Sequence, residues 1–332
     1  MSGTGIILIS FGGPEKLEQV APFMTRLTGR PLPAEAVERV VERYRRIGGG
    51  SPLPRIAREQ AAALQKRLTG QMMPVVGSGV HTVDEAPAIP ELGRAGHAIP
   101  ERLVVRAAFK YADPSIADVV CELAQAGYER VIGVSLSAHY TRIGVGAYFA
   151  ELRAASQKHG LTAVAADLYY AEPHFLDGLA AGLRRALAAL SDSRGACLVF
   201  SAHSLPMEEV ESGDPYVTQL QATVDGLLAR VPGYEWRIAY QSRGSASGRW
   251  LEPTVEATLQ ELAQQGRRRV VLMPIGFTAD HVETLYDLDI VAAGRAKELG
   301  LEFVRAGTLN TAPPFIETLA SVVRPHLETM VL

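Results

Sequence analysis

Short apolar runs alternate with longer stretches of helical spacing along this chain, and that alternation constrains its fold more than any other feature. The runs are Ile6 to Phe11, Leu103 to Ala108, Val131 to Leu136, Leu161 to Ala166, Cys197 to Phe200, Trp236 to Tyr240 and Val270 to Pro274. Between them lie helix-like stretches at 34 to 46, 54 to 69, 114 to 126, 146 to 158, 175 to 190, 216 to 230, 253 to 264 and 281 to 298. Such alternation predicts parallel strands with crossover helices, an α/β fold. The near-continuous apolarity of the runs predicts strands covered on both faces. With 332 residues there is room for two domains.

The segment from about 71 to 102 breaks the pattern with Pro74, Pro87, Pro90 and Pro100. It reads as a long irregular insertion with one extra strand in Val75 to Val83, and its His81 and His97 read as solvent-exposed and non-catalytic.

Composition removes several classes of function. A net charge of −3, with no basic run longer than Arg267-Arg268-Arg269, leaves no nucleic-acid footprint. Two cysteines, Cys121 and Cys197, each sit in an apolar segment and read as buried thiols. They are too few for a disulfide framework, a cysteine-rich zinc site or an iron–sulfur cluster. The N-terminus lacks a charged n-region, and no apolar run reaches the roughly 20 residues that span a bilayer. A cytoplasmic location is expected.

Ligands of open α/β sheets bind just beyond the carboxyl ends of the strands. The run Leu198-Val199-Phe200 leads into Ser201-Ala202-His203-Ser204, which places His203 there, although a histidine at such a position can equally be a capped or core residue. Ser137-Ala138-His139 also follows a strand, a repeat that hints at two similar halves facing a shared cleft. A second stretch runs from Pro274 to Asp289, with Asp280 as expected N-cap of a helix starting at His281. Glu283 and Asp287 lie four apart on one face of that helix, where two acids can also simply complement its dipole. Imidazole and carboxylate facing each other suit a borderline divalent ion such as Fe²⁺ or Zn²⁺ in an open site. The same histidine can instead take up protons near neutral pH. HExxH, GxxxxGK[ST], a helix-opening GxGxxG and GxSxG are all absent, so the pattern alone leaves function open.

Several separated motifs, in order, resemble the ferrochelatase family, which inserts ferrous iron into a porphyrin in haem synthesis. They are Ser10 to Pro14, Arg43-Tyr44 with Ile47 to Pro52, Ser201 to Pro206 with Gly213 to Tyr216, Tyr240 to Arg243, Trp250 to Pro253, and Asp280 to Asp289. The resemblance implies a lyase-class metal chelatase with two Rossmann-like domains. Each would have a four-stranded parallel sheet flanked by helices, with the porphyrin in the cleft between them. Residues 1–167 with 312–332 would form the first domain, carrying the cleft's lip at about 48 to 60 and a last helix at 312 to 331 that packs back onto it. Residues 168–311 would form the second.

By the same resemblance His203 and Glu283 contact the metal. Phe11, Arg43, Tyr44, Ser51 and Tyr170 contact the porphyrin or its carboxylates, with Arg43 backed by Arg26 or Arg30. His139 stands near the mouth of the cleft as a metal-path or product contact, and Asp287 is an auxiliary metal residue. Phe11 departs from members acting on coproporphyrin that carry a ligating tyrosine there, and Val291 stands where a further glutamate can occur. The partners implied are coproporphyrin III, with protoporphyrin IX as the other substrate, and Fe²⁺ as substrate, without a prosthetic group. A monomer is expected that meets other haem-pathway enzymes only transiently. A non-catalytic porphyrin or haem carrier, a sirohydrochlorin-type chelatase and a nicotinamide-dependent dehydrogenase are the rival readings. Lip residues Leu53 and Ile56 fit packing against protein better than contact with a membrane.

Overall fold

The computed structural model describes residues 3–70, 102–244 and 248–328. The strand expected in Val75 to Val83 lies outside them, as do His81 and His97. The first half runs β1 (Gly3–Ser10), α1 (Val20–Thr28), α2 (Ala34–Arg46), α3 (Leu53–Thr69), β2 (Leu103–Phe109), α4 (Ile116–Gln125), β3 (Tyr128–Ser135), α5 (Ala147–Lys158) and β4 (Thr162–Ala165). The chain continues through α6 (Pro173–Ala188), β5 (Cys197–His203), α7 (Met207–Glu211), α8 (Tyr216–Arg230), β6 (Glu235–Gln241), α9 (Val255–Gln264) and β7 (Arg269–Met273). It ends in α10 (Ala293–Glu298), β8 (Glu302–Arg305) and α11 (Pro313–Glu328).

Two four-stranded parallel sheets result, ordered β2-β1-β3-β4 and β6-β5-β7-β8. Adding four to each strand number of the first gives the second, so the halves share one topology. Under that equivalence β1 matches β5 and β3 matches β7. The Ser-Ala-His repeat is therefore not the structural repeat, because His203 ends β5 while His139 follows β3. A π-helical turn follows the third strand of each half, at Arg142–Gly146 and at Glu283–Ala292.

Side chains that alternate along β1 explain its apolar sequence. Ile6 and Leu8 join a core that continues into the second half through Phe200, Met273 and Phe315, while Ile7 and Ile9 pack outward against Val120 and Phe149. All four are fully buried, and each contributes about 1.5–3 kcal/mol of burial. On the second sheet Cys197 and Val199 face Leu259 and Leu288 in the same way.

Three expectations change. Thr162–Ala165 and Glu302–Arg305 are short strands at the sheet edges, and the second has no apolar run to announce it. The helix expected over 281 to 298 is π-wound from Glu283 to Ala292 and α-helical only from Ala293. The last helix packs on both halves, against α3 and against α6, and not only on the first. Among the described residues no helix is long and apolar enough to cross a membrane. Leu53 and Ile56 are buried against Ala279, packed on protein.

Candidate active site

His203 is the last residue of β5, and Glu283 opens the π-helical stretch after β7. Neighbouring parallel strands thus deliver both to the carboxyl edge of the second sheet. His203 Nε2 lies 3.7 Å from Glu283 Oε1, and His281 Nε2 lies 3.8 Å from Glu283 Oε2. Each imidazole turns Nδ1 toward a carbonyl, that of Ser204 at 2.5 Å and that of Ala279 at 3.2 Å. A carbonyl only accepts, so in the neutral rings the proton sits on Nδ1 and both Nε2 lone pairs flank the carboxylate.

Burial alone would raise the Glu283 carboxyl, but His203, His281 and Arg43 outweigh it and bring it down to about 2. Glu283 Oε2 is buried without a hydrogen-bond partner, since 3.8 Å to His281 is too long for one. One buried carboxylate oxygen is thus left unsatisfied, with His281 on its side and His203 on the side of Oε1. Among the described residues no group of three or more His, Cys, Asp or Glu side chains is already arranged to hold a metal ion. The arrangement suits an ion in passage better than a closed coordination shell.

Four acids between residues 280 and 289 divide their work. Asp280 and Asp289 both pair with Arg305. Asp280 does not cap the helix: it accepts from Asn310 Nδ2 at 2.9 Å and Thr284 Oγ1 at 3.3 Å, while the His281 N–H donates to Thr284 Oγ1. Asp287 pairs with Arg43 and accepts from Ser242 Oγ at 2.6 Å. Its carboxyl is raised above the usual Asp range because burial outweighs the pull of Arg43 and Ser242. Each of its oxygens accepts one bond within the protein, Oδ1 from Arg43 and Oδ2 from Ser242.

The first half supplies the opposite wall. Phe11, just past β1, is 38% exposed and packs edge-on against Phe23 and Tyr111. Tyr44 is buried, and burial with the Glu283 charge pushes its phenol up. The Ser51 N–H donates to the Pro14 carbonyl at 2.6 Å, fixing the lip to the loop after β1. Arg26 is not behind Arg43; it pairs with Asp113 at the surface. Arg46 takes that place, its guanidinium and that of Arg43 lying 5.3 and 4.9 Å from the Tyr286 ring centroid.

His139 is seated differently from the expected mouth position. It is 3% exposed, with Nε2 2.8 Å from Thr223 Oγ1 and its ring stacked on Tyr170. The Thr223 hydroxyl donates to the Tyr170 carbonyl, so His139 supports the wall that Tyr170 belongs to. A cavity of about 220 Å³ opens beside Asp287, lined by Arg43, Gln241, Ser242 and Val291 among others. Three contributors escaped the sequence reading. Gln241 and His281 lay inside the motifs at Tyr240 to Arg243 and Asp280 to Asp289 without being given a role, and Arg46 stands three residues beyond Arg43.

The family model for ferrochelatase matches residues 3–80 and 80–327. The chain belongs to the ferrochelatase family. The ferrochelatase of Geobacter sp. (strain M21) is 32% identical over 97% of this chain and 98% of its own length. The coproporphyrin III ferrochelatase of Geobacillus kaustophilus (strain HTA426) is 33% identical, covering 96% of this chain and 94% of its own. Among solved structures, SirB from Bacillus subtilis with Fe³⁺ superposes with a TM-score of 0.58 at 11% identity, covering 98% of this chain and 96% of that one. That likeness shows the fold alone, the two-domain Rossmann-like architecture of chelatases. This ferrochelatase is a metal chelatase of haem synthesis, inserting metal into a porphyrin.

Proposed function

We propose that this ferrochelatase inserts Fe²⁺ into coproporphyrin III, with iron as substrate and no prosthetic group. The macrocycle lies between Phe11 and the His203 and Glu283 pair. The observation that carries this reading is the Glu283 carboxylate, whose Oε2 is buried without a partner while its Oε1 lies 3.7 Å from His203 Nε2. Insertion forms four nitrogen–iron bonds and releases two pyrrole protons per ion. Glu283, held ionised, presents the cation, while His203 Nε2 takes up the pyrrole protons and passes them in turn to solvent. Exposing the pyrrole lone pairs requires a bent ring, and contacts to the peripheral carboxylates can supply the energy of bending.

Coproporphyrin III carries four propionates where protoporphyrin IX carries two. Arg43 and Arg46 share the Tyr286 ring, which gathers two guanidinium groups suited to additional carboxylates. Relatives named coproporphyrin III ferrochelatases at 31% and 33% identity agree with that choice. We take the protein to work as a cytoplasmic monomer that hands its product on in brief encounters.

The test is anaerobic Fe²⁺ insertion into both porphyrins side by side, by the wild type, His203→Ala and Glu283→Gln. The expected result is a kcat/KM at least about tenfold higher for coproporphyrin III, and losses of about 100-fold or more in either variant. Equal or reversed preference overturns the substrate assignment. Near-wild-type rates in folded variants overturn the site.

A further inference from the structure

Gln241 stands at the end of β6, inside the Tyr240-Gln241-Ser242-Arg243 stretch, and touches both halves of the metal-facing pair. Its backbone is in register with His203, and its carbonyl accepts the N–H of Ser204 at 2.8 Å. Its side-chain Nε2 donates to the backbone carbonyl of Glu283 at 2.8 Å. One residue therefore binds the end of β5 through its main chain and the first residue of the π-helical stretch through its side chain. The side chain is buried, and its Oε1 has no partner of its own.

A second observation concerns the next residue. Ser242 has φ of 58°, a left-handed conformation uncommon for a residue with a side chain, and from it Oγ donates to Asp287. Consecutive residues thus grip the π-helical stretch at Glu283 and again at Asp287. The grip sits on the very segment whose winding departs from the α-helix. Wide turns of this kind are inherently less favourable than α-helical ones and persist where neighbours hold them.

We propose that Gln241 is a positioning residue for iron insertion, setting the separation of His203 and Glu283 and holding the Glu283 end of the π-helical stretch in place. It touches neither porphyrin nor iron. Its effect passes through the Glu283 backbone, as residues that orient metal-facing groups do elsewhere, where losing one costs about 10- to 100-fold in affinity or activity. This inference rests on the ferrochelatase reading above.

The experiment replaces Gln241 by Leu, and by the unbranched Met in case Leu distorts the strand end. Each variant is assayed for Fe²⁺ insertion and for Zn²⁺ binding to the porphyrin-free protein by calorimetry, with Glu283→Gln alongside. The expected result is a kcat lowered about tenfold or more, a porphyrin KM within about twofold of wild type, and Zn²⁺ affinity weakened about tenfold or more. A merely structural role would lower the unfolding temperature and leave both kcat and Zn²⁺ affinity of the folded protein at wild-type values. If a folded Leu or Met variant keeps wild-type kcat and Zn²⁺ affinity while Glu283→Gln is inactive, the role of Gln241 is overturned and the site stands. If Glu283→Gln is also fully active, the site itself falls.

Discussion

Arg43 of α2 reaches across the cleft to the carboxylate of Asp287 on the π-helical stretch, so an ion pair joins the two halves beside His203 and Glu283. Asp287 is the more buried partner, and it holds a second bond from Ser242. Removing Arg43 therefore strands a buried carboxylate, whereas removing both charges does not.

A double-mutant cycle on this pair is expected to show it. Arg43→Met destabilises by about 1–3 kcal/mol in urea unfolding, and adding Asp287→Leu recovers most of that loss. A cycle with additive single effects would mean that the pair does not couple the halves.

Phe11 offers an exposed aromatic edge where the equivalent strand of the other half offers His203. Phe11→Ala should raise the porphyrin KM several-fold and leave the unfolding temperature nearly unchanged, because over a third of the side chain already faces solvent. Fluorescence titration with porphyrin measures the first effect and calorimetry the second.

Gly50 lies so close to the loop after β1 that an added Cβ would sit 2.2 Å from the Glu15 carbonyl oxygen. The neighbouring Ser51 N–H already holds that loop through Pro14, so neither strand of the lip can yield alone. Gly50→Ala should cost about 1–3 kcal/mol and weaken porphyrin binding with it. Unchanged stability would show that the lip moves freely.

Burial at His139 holds its imidazole down at about 3, against an ordinary value of 6.5. Below pH 6.5 the unfolded chain takes up a proton that the folded chain refuses until about pH 3. The stability contributed by this group is thus complete above 6.5 and is lost as the pH falls through that window. The slope is at most about 1.4 kcal/mol per pH unit. His139→Gln, which keeps a donor toward Thr223, should flatten the fall in urea midpoint between pH 7.5 and pH 5. An identical slope in the variant would mean that other groups govern acid sensitivity.

The interior strands were legible because a strand covered on both faces must be apolar throughout, as Ile6 to Ile9 and Cys197 to Phe200 are. Edge strand β8 was not, since Glu302, Phe303, Val304 and Arg305 are all half-buried and carry charge at both ends. Helix α1 hid behind Pro22 and a short apolar face. The spacing of Glu283 and Asp287 reads the same in α and π winding, because four residues come near one turn in both. His203 and Glu283 were readable as chemistry from their place after strands. What holds them was not, because the Gln241 bond spans 42 residues and the Arg43 bond 244, distances over which residue type carries no mark of contact.

Helix α11 also fixes an order of events. It lies against α3 of the first half and α6 ahead of the second sheet, and Arg67 pairs with its Glu317. Leu64 and Leu68 of α3 share the core with Leu319 and Val323 of α11, which lie some 250 residues further along the chain. During synthesis the first half therefore waits with an apolar face bare while the entire second half is made. Contacts of such long sequence separation slow folding and expose surface meanwhile. The protein's period of greatest vulnerability to aggregation is thus set by the time taken to translate its second half.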